Sequence, residues 1–444
     1  MGFQQGFTQF ITRNSDCLLE GNRPFRFISA NIPNLHINED PLPDWHRVSE
    51  WEVSDAYKTI LALGGRVTRC YTLSIRGGIR PGGGKAHIYA PGEYDEELFR
   101  DLDMVLALAH RYGVRLILPF IDQWDWFGGI KHFAAFRGKE QREFYTDTQL
   151  INDFKEVISF LMNRINTYTG IRYSEDKAIL AWETGNELDS PDAWITEITA
   201  HMKAQNPQQL ILDGRYGVSE ASLDNPNIDI VSNHYYIDRG LDFLLRTTSD
   251  RERSKGKKAF IVGEFGHEDP SVVKDLLKAV IENGSSGALI WSLRYRCEHG
   301  GFYFQGDPNN KAGHCLIWPE IPTRAEGTAM RKIEILRQCA YQISDQPVPD
   351  FIIPEPPILL SIHSTNSIRW RGSVGAESYI VERASLLNGT WTTIARGVAE
   401  NSLPYKAFED DQPNQNEPFY RMRAENAAGI SDPSNIEKLL QLQT

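Results

Sequence analysis

Eight short apolar runs, each rich in β-formers and each followed by a helical pattern or a long crossover, constrain this chain more than any other feature. They are Phe25–Asn31, Arg66–Leu73, Arg115–Ile121, Ala178–Glu183, Gln209–Asp213, Ile228–His234, Ala259–Gly263 and Gly287–Leu293. Runs that are apolar throughout suit parallel strands covered on both faces. Between them the period changes to 3.6. Leu150, Ile151, Phe154, Val157, Ile158, Leu161 and Ile165 line one helical face behind a capping box, Thr146-x-x-Gln149. Ser190-Pro191 and Asp269-Pro270 each read as an N-cap followed by proline at the first helical position. Eight such units predict an α/β fold, a closed (β/α)8 TIM barrel. An open doubly wound sheet is the competitor, but no Gly-x-Gly-x-x-Gly follows an early strand.

The helical period stops near residue 345. Pro347, Pro349, Pro354, Pro356 and Pro357 make residues 344–357 a stiff, extended linker. Beyond it, Ser378–Arg383, Thr390–Ala395 and Phe419–Asn426 alternate in and out, with turns at Asn388-Gly389 and Ala428-Gly429. The expected organisation is a barrel over residues 1–343, the linker, and a small all-β, immunoglobulin-like sandwich over 358–444. The barrel segment is long enough to bury its own core, so it is expected to fold when the rest is removed.

Composition closes off other classes. The formal net charge of −12 leaves no basic stripe for nucleic acid, and no apolar run approaches the length of a membrane span. The N-terminus, MGFQQGFTQF, has neither a basic nor an apolar leader region. It suits a cytoplasmic protein, or a secreted or periplasmic one whose signal peptide has been removed. Five cysteines make no disulfide framework: Cys17, Cys70 and Cys339 read as small buried residues. Cys297 and Cys315, near His299 and His314, fit no tetrahedral metal motif and read as a disulfide or two plain thiols. Nothing in the sequence fixes an oligomeric state.

In such a barrel, reactive groups belong at the C-terminal ends of strands. The fourth strand runs into Thr184-Gly-Asn-Glu187 and the seventh into Glu264. Two carboxylates at one end of a barrel meet the needs of glycosidic bond cleavage, one as general acid and the other as base or nucleophile. Each alone reads equally well as the solvated cap of a strand. Arg69 on the second strand, His234 and Tyr236 on the sixth, and Trp291 on the eighth supply a cation, donors and a flat ring. Taken singly, these are a salt bridge, a satisfied histidine and barrel packing. A non-catalytic carbohydrate-binding barrel would lack one of the carboxylates. A metal-dependent barrel hydrolase would need a His-x-His or carboxylate cluster that the strand ends are not expected to form.

In these residues, and in the stretches Leu116–Gly129 and Phe144–Gly170, the chain resembles the β-mannanase and β-mannosidase-like members of glycoside hydrolase family 5, in clan A. The stretch Tyr420–Ser431, with Tyr379 and Trp391, resembles the later strands of fibronectin type III domains. The first resemblance implies a retaining double displacement on an oligo- or polysaccharide, without cofactor or metal. Carried over, Glu187 is the acid/base and Glu264 the nucleophile. Arg69 and Tyr236 hold Glu264, Asn186 meets the C2 substituent of the sugar, and Trp124, His234 and Trp291 line the substrate. Leu188 replaces the family's usual proline, and Asp122-Gln123-Trp124 replaces Asn-Asn-Trp. The expected substrate is therefore a β-mannoside or a related β-linked glycan. The loop Arg296–Ile321, with Phe302, Tyr303, Phe304 and Trp318, is too long for a mere connector; it either walls one end of the cleft, as in an exo-acting or short-oligosaccharide enzyme, or leaves the cleft open, as in an endo-mannanase.

Overall fold

The computed structural model describes residues 6–38, 47–78, 85–236, 242–303, 315–318, 328–400, 407–414, 416 and 418–440. Eight parallel strands close into a barrel: β1 (Phe27–Asn31), β2 (Val67–Arg69), β3 (Arg115–Pro119), β4 (Ile179–Glu183), β5 (Leu210–Asp213), β6 (Ile230–His234), β7 (Ala259–Phe265) and β8 (Gly287–Ile290). The ladder between β8 and β1, with Gly287 opposite Phe27, and that between β4 and β5 complete the ring. Helices follow the strands in turn: α1 (Glu50–Ala62), α2 (Glu96–Tyr112), α3 (Thr148–Asn163), α4 (Asp192–Gln205), α5 (Glu220–Asp224), α6 (Phe243–Ser254), α7 (Pro270–Glu282) and α8 (Thr328–Ile343). No helix among the described residues is long and apolar enough to cross a membrane.

Alternate residues of the strands face opposite ways, as the period of two demands. Phe27, Val67, Ile117, Ala181, Leu210, Leu212, Ile230, Ala259, Ile261 and Leu289 form the interior cluster. Leu116, Leu118, Ile211, Val231, Phe260, Val262 and Ile290 pack outward with the helices. The interior is closed at the strands' N-terminal end by an antiparallel sheet of Ile11–Asn14, Cys17–Glu20 and Arg23–Pro24. Its Ile11 and Leu18, with Phe25 beyond it, join the interior cluster.

Several local expectations need correcting. Helix α3 is capped by Asp147, whose carboxylate accepts from the amides of Gln149 and Leu150, and not by Thr146. A carboxylate one residue closer to the first turn simply reaches these donors better. Ile165 lies past the end of α3 and is 59% exposed, outside the apolar face it was expected to extend. Pro191, not Ser190, is the N-cap of α4, while Asp269 and Pro270 open α7 as expected. All five cysteines are free thiols, so Cys297 and Cys315 share no disulfide, and Cys17 is exposed rather than buried.

Past α8 the chain runs without helix or strand until β9 (Ile358–Leu359) and is all-β thereafter. β9 pairs with β10 (Trp370–Arg371). A second sheet joins β11 (Ser378–Ala384), β12 (Thr392–Val398), β13 (Phe419–Asn426), β14 (Gly429–Ile430) and β15 (Glu437–Lys438). Leu359, Ile362, Ile368, Trp370, Tyr379, Val381, Tyr420 and Met422 form the core of this unit.

The all-β unit is pinned to the barrel. Arg296, in the loop after β8, is buried between Asp55 of α1 (3.1 Å) and Glu400 after β12 (3.0 Å). Its Nη2 donates to the carbonyls of Trp318 and Ser373. Tyr379 donates to the same Glu400, and Arg371 to the carbonyl of Glu298. The described aromatics of the loop serve this seam. Tyr303 donates to Glu52 of α1, Phe302 packs on Ile317, and Trp318 lies 5.6 Å from Phe351. Phe302, Tyr303 and Trp318 are thus buried in the seam, while Phe304 falls outside the described residues.

Candidate active site

Arg69, Glu183 and His234 end their strands on the inward parity, beside Asn31 at the end of β1. Glu264 reaches the same layer by a different route. β7 is irregular between Val262 and Phe265, and β6 between Asn233 and His234, so that His234 stands opposite Glu264. A strand irregularity of this kind re-aims a side chain that strict alternation would point outward. Gly263 makes the approach possible, because a Cβ there would lie 2.8 Å from Nε2 of His234.

Glu187 and Asn186 sit just beyond β4, on backbone tied to the neighbouring strand ends. The Asn186 amide donates to the carbonyl of Ile121, that of Gln123 to Asn186, and that of Leu188 to Gly214. These crossings are so close that a Cβ on Gly214 would stand 1.8 Å from the carbonyl oxygen of Gly185. Glu187 itself has φ of 52°, the left-handed region that side-chain-bearing residues rarely adopt.

The two carboxylates are neighbours with separate donor sets. Ligating atoms of Glu187, His234 and Glu264 lie within 4.8 Å of one another. Glu187 faces Nδ1 of His234 at 2.8 Å through Oε1 and accepts from Nε1 of Trp124 at 2.7 Å through Oε2. Glu264 accepts from Nη1 of Arg69 at 2.9 Å and from the Tyr236 hydroxyl at 2.7 Å. Nδ1 of His234 is also 3.4 Å from Glu264, so the imidazole spans both acids. The expectation that strand ends hold no carboxylate cluster is therefore wrong. Each oxygen of the pair already meets a protein donor, and a cation among them would face the fixed charge of Arg69.

Glu183 is the principal residue that sequence reasoning passed over. It binds Arg69 at two points, 2.6 and 3.0 Å, and burial raises its pKa against the opposing pull of Arg69. Burial opposes the charge of Arg69, but Glu183 and Glu264 outweigh it and raise the guanidinium further. The signal for Glu183 was available: Val67-x-Arg69 and Ala181-x-Glu183 share one inward parity on alternate strands, and alternate strands fill one layer of such a barrel. Tyr71 and Asp122, also unassigned, complete the floor. The Tyr71 hydroxyl donates to Asp122 at 2.7 Å, and Asn186 donates to Asp122 at 2.9 Å.

The remaining assigned residues divide by exposure. The Trp124 ring is 54% exposed at the mouth while its N–H is engaged by Glu187. Trp291 is nearly buried, 5.8 Å edge-on from Tyr71 and 6.0 Å from Trp126. The Tyr236 ring stacks on His267 at 4.5 Å. All eight residues singled out from the sequence lie at the C-terminal ends of the strands or in the segments just beyond them.

The class the structure defines is a parallel eight-stranded barrel with paired glutamates at the C-terminal ends of its strands. The comparisons narrow it. Residues 84–244 match the family model described as GH family 5 beta-mannosidase-like. A putative mannan endo-1,4-beta-mannosidase 5 of Oryza sativa subsp. japonica is 32% identical over 52% of this chain and 50% of its own length. Mannan endo-1,4-beta-mannosidase 7 of Arabidopsis thaliana is 33% identical over 44% and 48%. The chain thus spans about half the length of these two curated relatives. Among solved structures, the endo-1,4-beta-mannanase of Rhizomucor miehei superposes with a TM-score of 0.60 at 18% identity, over 76% of this chain and all of that one. The endo-beta-1,4-mannanase of Thermotoga petrophila gives 0.59 at 17% identity, over 94% and 98%. These last two likenesses establish the barrel fold.

Proposed function

We propose that the chain is a retaining β-glycoside hydrolase of the family 5 type that cleaves β-linked mannan or mannosides. The observation that carries this reading is the carboxylate pair of Glu187 and Glu264, with oxygens within 4.8 Å and unequal donor sets. Retaining enzymes hold their two carboxyl groups about 5–5.5 Å apart, and inverting ones leave room for water at about 6.5–9.5 Å. Glu264, held by a buried guanidinium and a phenol, is suited to attack the anomeric carbon. Glu187, beside an imidazole and an indole N–H, is suited to carry the proton to the leaving oxygen. It then takes one from the water that releases the sugar. The substrate class follows from the mannan-directed relatives.

The chain is further read as a barrel to residue 343, a linker to 357 and a fibronectin type III-like sandwich to 444. The support is the all-β strand order after Ile358. The test of function is hydrolysis of a panel of nitrophenyl β-glycosides beside polymeric mannan and glucan. Preference for the mannosides and mannan is the expected result. Azide is the test of roles: with Glu187→Ala it should yield the β-glycosyl azide, and with Glu264→Ala the α-product, because attack then comes from the vacated face. The reverse pattern would exchange or abolish the assignment.

A further inference from the structure

The amide of Asn186 is nearly saturated by the protein. Its Nδ2 donates to Oδ1 of Asp122 at 2.9 Å and to the hydroxyl oxygen of Tyr71 at 3.2 Å. Its Oδ1 accepts from Nη2 of Arg69 at 2.8 Å. An amide has two donors and two acceptor positions, so one acceptor position remains and no donor does. The polarity of the arrangement is set from both ends, by Arg69 at the amide oxygen and by Asp122 at the NH2. Asp122 is fully buried, and its second oxygen takes the Tyr71 proton at 2.7 Å, which turns a Tyr71 lone pair toward Asn186. Turning the Asn186 amide over would set its NH2 against the Arg69 guanidinium and its oxygen against the Asp122 carboxylate. The backbones hold the two side chains in register through a parallel bridge between Asp122 and Asn186.

We propose that Asp122 is a positioning residue that locks Asn186 with only an acceptor to offer the cleft, so that the group meeting Asn186 must be a hydrogen-bond donor such as a free C2 hydroxyl. This rests on the glycoside hydrolase reading for its substrate, but not for its structural content. The groups facing Asp122 are Tyr71 from the end of β2, Asn186 and Glu187 beyond β4, the Trp124 amide on its own loop, and Tyr145 from the segment before α3. The cation Arg69 acts through Asn186. Burial, aided by the charge of Glu187, lifts Asp122 to about 7 against these donors. The lock therefore loosens as the pH falls below neutral, when the carboxyl becomes a donor itself.

The test uses the full chain labelled with 15N-asparagine, the Asn186 side-chain signals being assigned by their loss in Asn186→Ala. In the wild type they should titrate together near pH 7. In Asp122→Asn that titration should vanish, and kcat on nitrophenyl β-mannoside should fall about tenfold or more with little change in KM. The acid limb of kcat near pH 7 should disappear with it. Should Asp122→Asn fail to fold, Tyr71→Phe removes one donor to the carboxylate and should move both titration and limb to higher pH. A titration that persists in Asp122→Asn, or one unmoved in Tyr71→Phe, overturns the inference. A wild type that cleaves no glycoside would overturn the proposed function alone, because the amide signals decide the lock without turnover.

Discussion

Glu187 holds a left-handed backbone that glycine tolerates and other residues resist by about 1–2 kcal/mol. At most positions alanine is more stabilising than glycine; here the order should invert. We expect Glu187→Gly to unfold at a higher denaturant midpoint than Glu187→Ala, by about 1 kcal/mol, while neither cleaves an unactivated oligosaccharide at more than about a hundredth of the wild-type rate. Equal midpoints would show that the backbone relaxes once the carboxylate is gone. A second prediction concerns His36 and His87, buried side by side with ring centroids 5.0 Å apart. Burial holds both below their ordinary pKa, His36 at about 4. The unfolded chain then takes up protons first, so their contribution is intact above about pH 6.5 and is lost as the pH falls toward 4. Between pH 7 and 5, His36 alone should cost about 2 kcal/mol of stability, read from guanidinium midpoints. His36→Gln should flatten that slope.

At the scale of elements, the barrel was legible because each buried strand is an unbroken apolar run with helical period on either side. Every one of the eight runs holds a strand, though each strand is trimmed or, in β7, extended by two residues. Caps were harder to read, because Thr146 and Asp147 are both good N-cap residue types, and the box motif favoured Thr146 while three-dimensional reach favours Asp147. Asp147→Ala should destabilise by about 1 kcal/mol and Thr146→Ala by a few tenths, by thermal unfolding. The site was legible to the extent that reactive residues end strands. Glu183 was missed because a salt-bridged carboxylate inside a motif looks like a scaffold residue, and Asp122 because its importance lies in what it accepts rather than in its position. The inward turn of Tyr303 and Trp318 had no local signal, since their partners Glu52 and Phe351 lie outside the loop, and that of Phe302 depends on how the loop folds back on Ile317.

Across the whole molecule, the proline-rich segment proves to be less a free spacer than a strap across a seam. Arg296 is buried with one carboxylate from the barrel and one from the all-β unit, and burial raises Asp55 despite that cation. Ending the chain at Ser344 would strand this arginine on one partner and uncover Trp318. The truncated protein is expected to melt well below the full chain, against the sequence-based expectation of an independent barrel. Arg296→Ala in the full chain should cost about 3–5 kcal/mol, because it removes the guanidinium that two buried carboxylates share. A truncated chain with an unchanged melting temperature would return the linker to the role of spacer.

The sheet of Ile11–Asn14, Cys17–Glu20 and Arg23–Pro24 carries a further consequence. With Ile11, Leu18 and Phe25 capping an interior already filled by strand side chains, the reacting groups stand on a solid floor at the C-terminal face. Under the proposed reaction, the departing aglycone and the incoming water both exchange across that face. Where such exchange limits turnover, its rate follows diffusion and not only chemistry. A thicker solution should slow the wild type and leave a slow-chemistry variant untouched.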